Sequence, residues 1–247
     1  MFDPSALLHP VVTVKALFAV DNNSRGADST FRGVSGENRE YHIKKSTSAN
    51  QFSPLSESLG YWCSNIAQVK TPTPQVVRLP DGEFAFGSEI LKESAPLGKL
   101  ESVRLEHCAT LSRIYVVDCL LHNEDRHLAN YLIDLRDRTE ILAIDFGRSV
   151  PFGSFPPPAP PPRGNTNLFF TRWMAQIGFD NEAASDAICR LTDGDGENLN
   201  DMLERLPQSF FSGAPALLTQ LVEWWETERL ARLRRIAEIL DIFGLGI

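Results

Sequence analysis

The sequence lacks several features that define common protein classes. None of its four cysteines stands in a C-x-x-C pair, so the pattern indicates neither a disulfide framework nor a structural zinc site. No stretch approaches the roughly 18 apolar residues that a membrane-spanning helix needs. The first residues also lack the basic and apolar segments of an export signal. We therefore expect a cytoplasmic protein with no membrane partner.

Basic residues are scarce relative to acidic ones. The 247 residues include 24 Lys and Arg against 32 Asp and Glu, a formal net charge of −8. Because proteins bind nucleic acids mainly through clustered basic side chains, we expect no nucleic-acid partner. With 43% hydrophobic and 23% charged residues, the chain has the composition of a globular protein and the length of one large domain or two small ones.

The first ninety residues predict strands around one helix. A β-branched run covers 11–20, and a second strand ends at Lys44. Apolar residues then recur at helical spacing after Ser53, which is followed by proline and is the expected N-cap. Two short strands at 75–78 and 83–86 flank a Pro-Asp-Gly turn.

Helical patterns dominate beyond residue 100. An apolar stripe covers 105–119, and a long helical pattern covers 217–243. A hairpin with strands at 131–135 and 141–144 interrupts the helices. The proline run Phe155–Pro162 favours polyproline II, and it is either a rigid spacer or a ligand for an SH3-like partner.

The residues most informative about chemistry lie in two short segments on either side of the predicted hairpin. Segment 125–130 reads DRHLAN and segment 144–147 reads IDFG. Phosphoryl transfer needs a carboxylate that orients the attacking hydroxyl, and it needs an amide oxygen and a second carboxylate that hold magnesium against the nucleotide phosphates. Asp125, Asn130 and Asp145 supply these groups at the spacing of a protein-kinase catalytic loop.

Both segments resemble those of the HipA-like kinases and, nearly as closely, those of the phosphatidylinositol 3/4-kinase catalytic core. The resemblance implies an α+β, bilobal protein-kinase-like fold, with a small β-rich N-lobe at 1–90 and a mainly helical C-lobe at 91–247. It implies ATP and Mg²⁺ as cofactors, with Asn130 and Asp145 as the metal ligands. The implied catalytic residues are Asp125, His127, Asn130 and Asp145.

The role of His127 has two interpretations. By resemblance to the lipid kinases, its imidazole contacts the transferring phosphate or helps to accept a proton. Alternatively, it supports the loop by hydrogen bonding.

The same resemblance implies a strand lysine that contacts the nucleotide phosphates and a helix glutamate that pairs with it. Lys44 is preferred over Lys45, because Lys45 shares a strand face with two apolar residues. Glu57 is the only acidic residue between 41 and 80 and is the default partner. A surface position for this glutamate is the alternative.

Two further segments complete the implied nucleotide site. Loop 24–30 would cradle phosphates with backbone N–H groups and side-chain hydroxyls, or it is an ordinary polar hairpin loop. Segment 88–90 falls where an interlobe hinge would bind adenine through backbone groups. The residues assigned to these contacts are Ser24, Gly26, Ser29, Thr30, Glu89 and Ile90.

The sequence departs from protein kinases after Gly147. The Ala-Pro-Glu motif that ends their activation segment is absent, and the proline run stands in its region, which argues against a peptide docked in protein-kinase style. We hypothesise an ATP- and magnesium-dependent kinase that acts on a hydroxyl, a Ser or Thr of another protein or of the chain itself. The alternatives are a pseudokinase-type nucleotide-binding or interaction module, and a lipid or small-molecule kinase.

A metal-hydrolase site is a further alternative for the same residues. His122 would then join the carboxylates and imidazole of the two segments as metal ligands. No H-E-x-x-H or comparable spacing supports this interpretation, and it leaves Asn130 and Lys44 without roles.

Overall fold

Five strands of the first ninety residues close into a small barrel, with neighbours in the order β1-β2-β3-β5-β4. The computed structural model describes residues 11–19, 30–48, 50–136, 138–151, 155–194, 199–211 and 214–242. The barrel strands are β1 (Val12–Ala19), β2 (Thr30–Ser35), β3 (Glu40–Lys44), β4 (Pro74–Arg78) and β5 (Phe84–Glu89).

Strand β3 lies between β2 and β5 and pairs antiparallel with both. Its residues Tyr41 and Ile43 are fully buried and pack inside the barrel against Val14, Val77 and Ala85. Since successive side chains of a strand point to opposite faces, Lys44 at the end of β3 lies outside the barrel interior. Its ammonium is nevertheless largely buried, because other parts of the chain cover it.

Helix α1 (Ser53–Ile66) is the single helix that the structure describes between the barrel strands, and all of its residues except Asn65 are buried. The expectation that Ser53 is the N-cap is wrong. Phe52 holds the cap position without a side-chain hydrogen bond, and Ser53 is already helical. The sequence signal misleads because the Ser53 hydroxyl is buried beside another chain segment instead of turning back to the helix N–H groups.

Helices form most of the chain after residue 100. They are α2 (Cys108–Leu121), α3 (Asn165–Ile177), α4 (Asn181–Asp193), α5 (Leu199–Glu204) and α6 (Pro215–Ile242). A three-stranded sheet lies among them, in the order β6 (Ser94–Pro96), β7 (Tyr131–Asp134) and β8 (Ile141–Ala143). The predicted hairpin is thus present, with each strand one residue shorter, and β6 pairs with it.

The larger hydrophobic core joins α1 and β5 to the later helices. The Trp62 and Trp225 rings lie 4.9 Å apart and link α1 to α6, while Tyr115 of α2 stacks on Phe170 of α3 at 3.7 Å. A smaller core fills the barrel. Helix α1 is therefore held mainly by the helical part of the chain, although it lies among the barrel strands in sequence.

The proline run folds back onto helix α6. The Phe155 ring packs edge-on against Trp224, 6.0 Å between centroids, and Pro160 and Pro162 are buried. The Arg232 guanidinium donates a hydrogen bond of 2.5 Å to the Pro158 carbonyl. These contacts favour a spacer fastened to the protein surface, and the SH3-like partner stays a prediction.

Across the described ranges, none of the helices combines the length and apolarity that crossing a membrane requires.

A close approach between α1 and Phe146 generates a prediction. A Cβ at Gly60 would overlap the Phe146 ring, so we expect Gly60→Ala to destabilise the protein by about 1–3 kcal/mol, since overpacking outweighs the helix propensity of alanine. Urea unfolding measures this change. Gly36→Ala is the control, because a Cβ there meets only the flexible end of Lys15. Equal stability of the two variants would contradict the packing.

Candidate functional site

The loop between α2 and β7 is organised around the buried side chain of Arg126. Its guanidinium forms a bidentate pair with Asp118 of α2, at 2.9 and 2.8 Å. It also donates to the Asn130 carbonyl at 3.2 Å and to the Ile144 carbonyl, and it lies 4.4 Å from the centre of the Phe146 ring. One cation thus joins both segments of the candidate site to helix α2.

Sequence reasoning missed the role of Arg126. No role is assigned to this residue from the sequence, yet both Arg126 and Asp118 are 1% exposed. The signal that could have identified the pair is Asp118, an acidic residue inside the apolar pattern of the helix before the loop. A buried charge needs a partner of opposite sign, and Arg126 follows eight residues later.

The loop gives the two candidate oxygen groups of segment 125–130 distinct environments. The Asn130 side-chain N–H donates to the Asp125 carbonyl at 2.9 Å, which leaves the amide oxygen of Asn130 as the group available for a cation. The Asp125 carboxylate accepts a 2.7 Å hydrogen bond from the Asn165 amide through Oδ1. Its Oδ2 has no hydrogen bond to the part of the chain that the structure describes.

His127 lies half-buried between these two residues. Its imidazole makes no hydrogen bond to any described residue, so the proposed supporting role within the loop gains no contact from the structure. Its role in chemistry stays a prediction.

Lys44, Glu57 and Asp145 meet in one cluster, although they lie in β3, α1 and the loop after β8. The Lys44 ammonium is 3.0 Å from Asp145 Oδ1 and 3.7 Å from Glu57 Oε1. Asp145 adopts a left-handed backbone, with φ of 61°, a conformation that is uncommon for residues other than glycine. Lys45 lies instead over the Phe31 ring, at 5.4 Å.

Glu57 fixes the backbone that follows Asp145. Its Oε2 accepts a 3.0 Å hydrogen bond from the Phe146 N–H, and its side chain is 2% exposed, so the surface alternative is wrong. The next residue, Gly147, has little space for a side chain, since a Cβ there would lie only 3.1 Å from Ser53 Oγ and 3.3 Å from Glu57 Oε1. The Gly147 carbonyl accepts from the Asn50 amide at 3.3 Å.

The pKa values of the two carboxyl groups in this cluster are shifted in opposite directions. Burial raises the pKa of Glu57 from 4.5 to about 7, although the nearby Lys44 ammonium opposes the shift. Burial would also raise the pKa of Asp145, but Lys44 and Arg126 outweigh it and hold that pKa below its usual 3.8. Asp145 is therefore the carboxylate that stays charged at neutral pH.

The structure describes the segment expected to bind adenine and little of the loop expected to bind phosphate. The N–H of Glu89 donates to the Thr73 carbonyl at 3.0 Å, and that of Ile90 donates to the Glu40 carbonyl at 2.8 Å. The barrel thus occupies both N–H groups, and among the described residues Leu91 has the next N–H without a hydrogen bond. Ser24, Gly26 and Ser29 lie outside the described residues, and only the backbone of Thr30 is described.

The donors present suit a hard cation. Asp145 and Asn130 offer a carboxylate and an amide oxygen, the ligand types that Mg²⁺ prefers alongside phosphate oxygens and water. Among the described residues, no group of three or more His, Cys, Asp or Glu side chains could hold a metal ion by itself. His122 instead bonds to Glu124 at 3.0 Å and to Arg232 at 3.3 Å, so the metal-hydrolase alternative loses its ligand set.

Comparison with known proteins identifies the architecture. No protein-family model matches the chain, and no curated protein matches its sequence. Among solved structures, the crystal structure of a Helicobacter pylori proinflammatory kinase, CtkA, is similar, with a TM-score of 0.61 over 96% of this chain and 100% of that chain. This chain has a kinase-like fold. The identity with CtkA is 13%, so the likeness shows the fold and not the reaction.

The raised pKa of Glu57 predicts a pH-dependent stability. Between about pH 4.5 and 7 the folded protein binds more protons at Glu57 than the unfolded chain does, so the contribution of this residue to stability falls as pH rises. The stability of Glu57→Gln relative to the native protein should therefore increase by about 1–3 kcal/mol from about pH 5 to pH 8. The lowered pKa of Asp145 makes stability change with pH in the opposite direction, but only below the usual pKa of 3.8.

Urea unfolding at several pH values measures this difference. Glu228→Gln on the exposed face of α6 is the matched control and should show no such trend. A stability difference for Glu57→Gln that stays constant with pH would contradict the assignment.

Proposed function

We propose that this chain is a bilobal, HipA-like kinase that transfers the γ-phosphoryl group of ATP to a hydroxyl in a magnesium-dependent reaction. The observation that carries the proposal is the convergence of Lys44, Glu57 and Asp145 next to the loop that holds Asp125 and Asn130. These five residues come from four separate elements of a kinase-like fold. Each has the chemistry that the corresponding step of phosphoryl transfer needs.

Each side chain has a distinct role in the proposed reaction. Lys44 binds the nucleotide phosphates, and Glu57 holds the lysine and the backbone after Asp145. Asp145 and the Asn130 amide oxygen hold the cation, which when bound neutralises charge that builds on the phosphate oxygens. Asp125 orients the acceptor hydroxyl through its free Oδ2 and accepts its proton.

The proposed acceptor is a Ser or Thr of a protein, with the chain's own Ser29 and Thr30 as the internal candidates. The proline run after Gly147 packs against helix α6. This packing supports an acceptor that does not bind as a peptide along a mobile activation segment. The adenine would contact the chain near Leu91, since the barrel occupies the N–H groups of Glu89 and Ile90.

Loss of either carboxylate should abolish phosphoryl transfer. We expect Asp145→Asn and Asp125→Ala each to lower the transfer of γ-labelled phosphate from Mg·ATP by about 100-fold or more. The first variant removes the charged ligand of the cation, and the second removes the group that orients the acceptor hydroxyl. Asp193→Ala, at the exposed end of α4, is the control and should keep wild-type activity. Mass spectrometry of the wild-type protein after the assay shows whether Ser29 or Thr30 carries phosphate, which separates self-modification from transfer to another acceptor.

Thermal shift on the same samples distinguishes the alternatives. Nucleotide-dependent stabilisation of the wild type without any transfer, across a panel of protein and small-molecule hydroxyl acceptors, would overturn the kinase proposal and indicate a nucleotide-binding module. Full activity of Asp145→Asn would refute the role of that residue.

A further inference from the structure

The start of helix α3 is hydrogen-bonded to the first part of the candidate catalytic loop. Asn165 and Thr166 together contact four consecutive residues, one hydrogen bond to each. The Thr166 hydroxyl donates to the Asn123 carbonyl at 2.5 Å and accepts from the Arg126 N–H at 2.9 Å, and the Thr166 N–H donates to the Glu124 carbonyl at 3.4 Å. The fourth bond joins the Asn165 amide to the Asp125 carboxylate at 2.7 Å.

Gly164 makes this approach possible. Its backbone has a φ of 73°, and a Cβ at this position would lie 2.9 Å from the Glu124 carbonyl oxygen. Any other residue would be strained there and would separate the two segments. The sequence Gly164-Asn165-Thr166 therefore brings the first turn of α3 against the loop, with the Asn165 side chain at the carboxylate of Asp125.

We propose that Asn165 is a positioning residue that fixes the orientation of Asp125 for the acceptor hydroxyl. This inference rests on the proposed function. A carboxylate at a half-exposed loop position can rotate about its last side-chain torsion, which has a broad, two-fold profile. Because the Asn165 amide binds Oδ1, the Oδ2 oxygen is held at a defined position and stays free for the hydroxyl and its proton.

The two residues at the start of α3 divide the work between them. The Thr166 hydroxyl is buried and satisfies backbone groups on both sides of Asp125, so its loss would leave buried polar atoms without partners. The bond from Asn165 is exposed to solvent, so water replaces it when it is removed. Loss of Asn165 should consequently alter the reaction much more than the fold.

The test compares Asn165 with Asn167, which is also exposed and lies two positions further along the same helix. The variants are Asn165→Ala, Asn165→Asp, Asn167→Ala and Asn167→Asp. Asn165→Asp keeps the size of the side chain but replaces the donor with a second carboxylate beside Asp125. Each protein is assayed for kcat and for KM of ATP with magnesium, and its thermal midpoint is measured.

We expect kcat to fall about 10- to 100-fold in Asn165→Ala and further in Asn165→Asp, because misplacement of a reacting group has effects of this size. The KM for ATP and the thermal midpoint should stay at wild-type values, since neither nucleotide binding nor the core involves Asn165. Both Asn167 variants should match the wild type throughout. Wild-type kcat in Asn165→Ala would overturn the inference and leave the proposed function standing.

A crystal structure of Asn165→Ala keeps the two proposals separable, because it does not depend on activity. An Asp125 carboxylate that is rotated or occupies more than one orientation supports the inference, and a carboxylate in the wild-type orientation overturns it. A wild-type protein that binds ATP but transfers nothing would instead overturn the proposed function, whatever the orientation of this carboxylate.

Discussion

The candidate site depends on one buried ion pair, between Arg126 and Asp118. The guanidinium joins helix α2 to the carbonyls of Asn130 and Ile144 and to the face of the Phe146 ring. Those contacts set the spacing between the loop that carries Asp125 and the loop that carries Asp145. Removing one partner of a fully buried pair leaves an uncompensated charge, which typically costs about 3–5 kcal/mol. The ion pair is therefore required for the structure of the site, and neither of its residues takes part in the proposed reaction.

Two elements then bring the remaining groups to this framework. Helix α1 approaches Phe146 at Gly60, where a larger side chain would overlap the ring, and this proximity places Glu57 on the Phe146 N–H and near Lys44. The start of helix α3 approaches the loop that holds Asp125 at Gly164. Each of the two helices thus comes close to the site at a glycine, and the Lys44 ammonium lies near the carboxyl groups of Asp145 and Glu57.

Much of this arrangement could be predicted from the sequence, and the limits have physical reasons. The alternation of Tyr41 and Ile43 placed Lys44 on the outer face of its strand, and the DRHLAN and IDFG segments identified the residues of the two loops. The contacts of Asn165 and Thr166 could not be predicted, because they join residues 40 or more positions apart in the sequence. The ion pair of Arg126 was missed, although an acidic residue within the apolar pattern of α2 indicated it. The Ser53 N-cap was wrong because tertiary burial outweighed a local preference. The contact of Glu89 and Ile90 with adenine stays a prediction, and strand pairing, which a sequence does not show, occupies their N–H groups.

The most direct test of the account is a crystal structure with Mn²⁺ and a non-hydrolysable ATP analogue. Manganese takes the same oxygen ligands as magnesium and is located by its anomalous scattering. The account predicts an anomalous peak about 2–2.3 Å from an Asp145 carboxylate oxygen and the Asn130 amide oxygen, with the β- or γ-phosphate within reach of Lys44. A nucleotide bound elsewhere, or a cation that contacts neither residue, would contradict the proposed site.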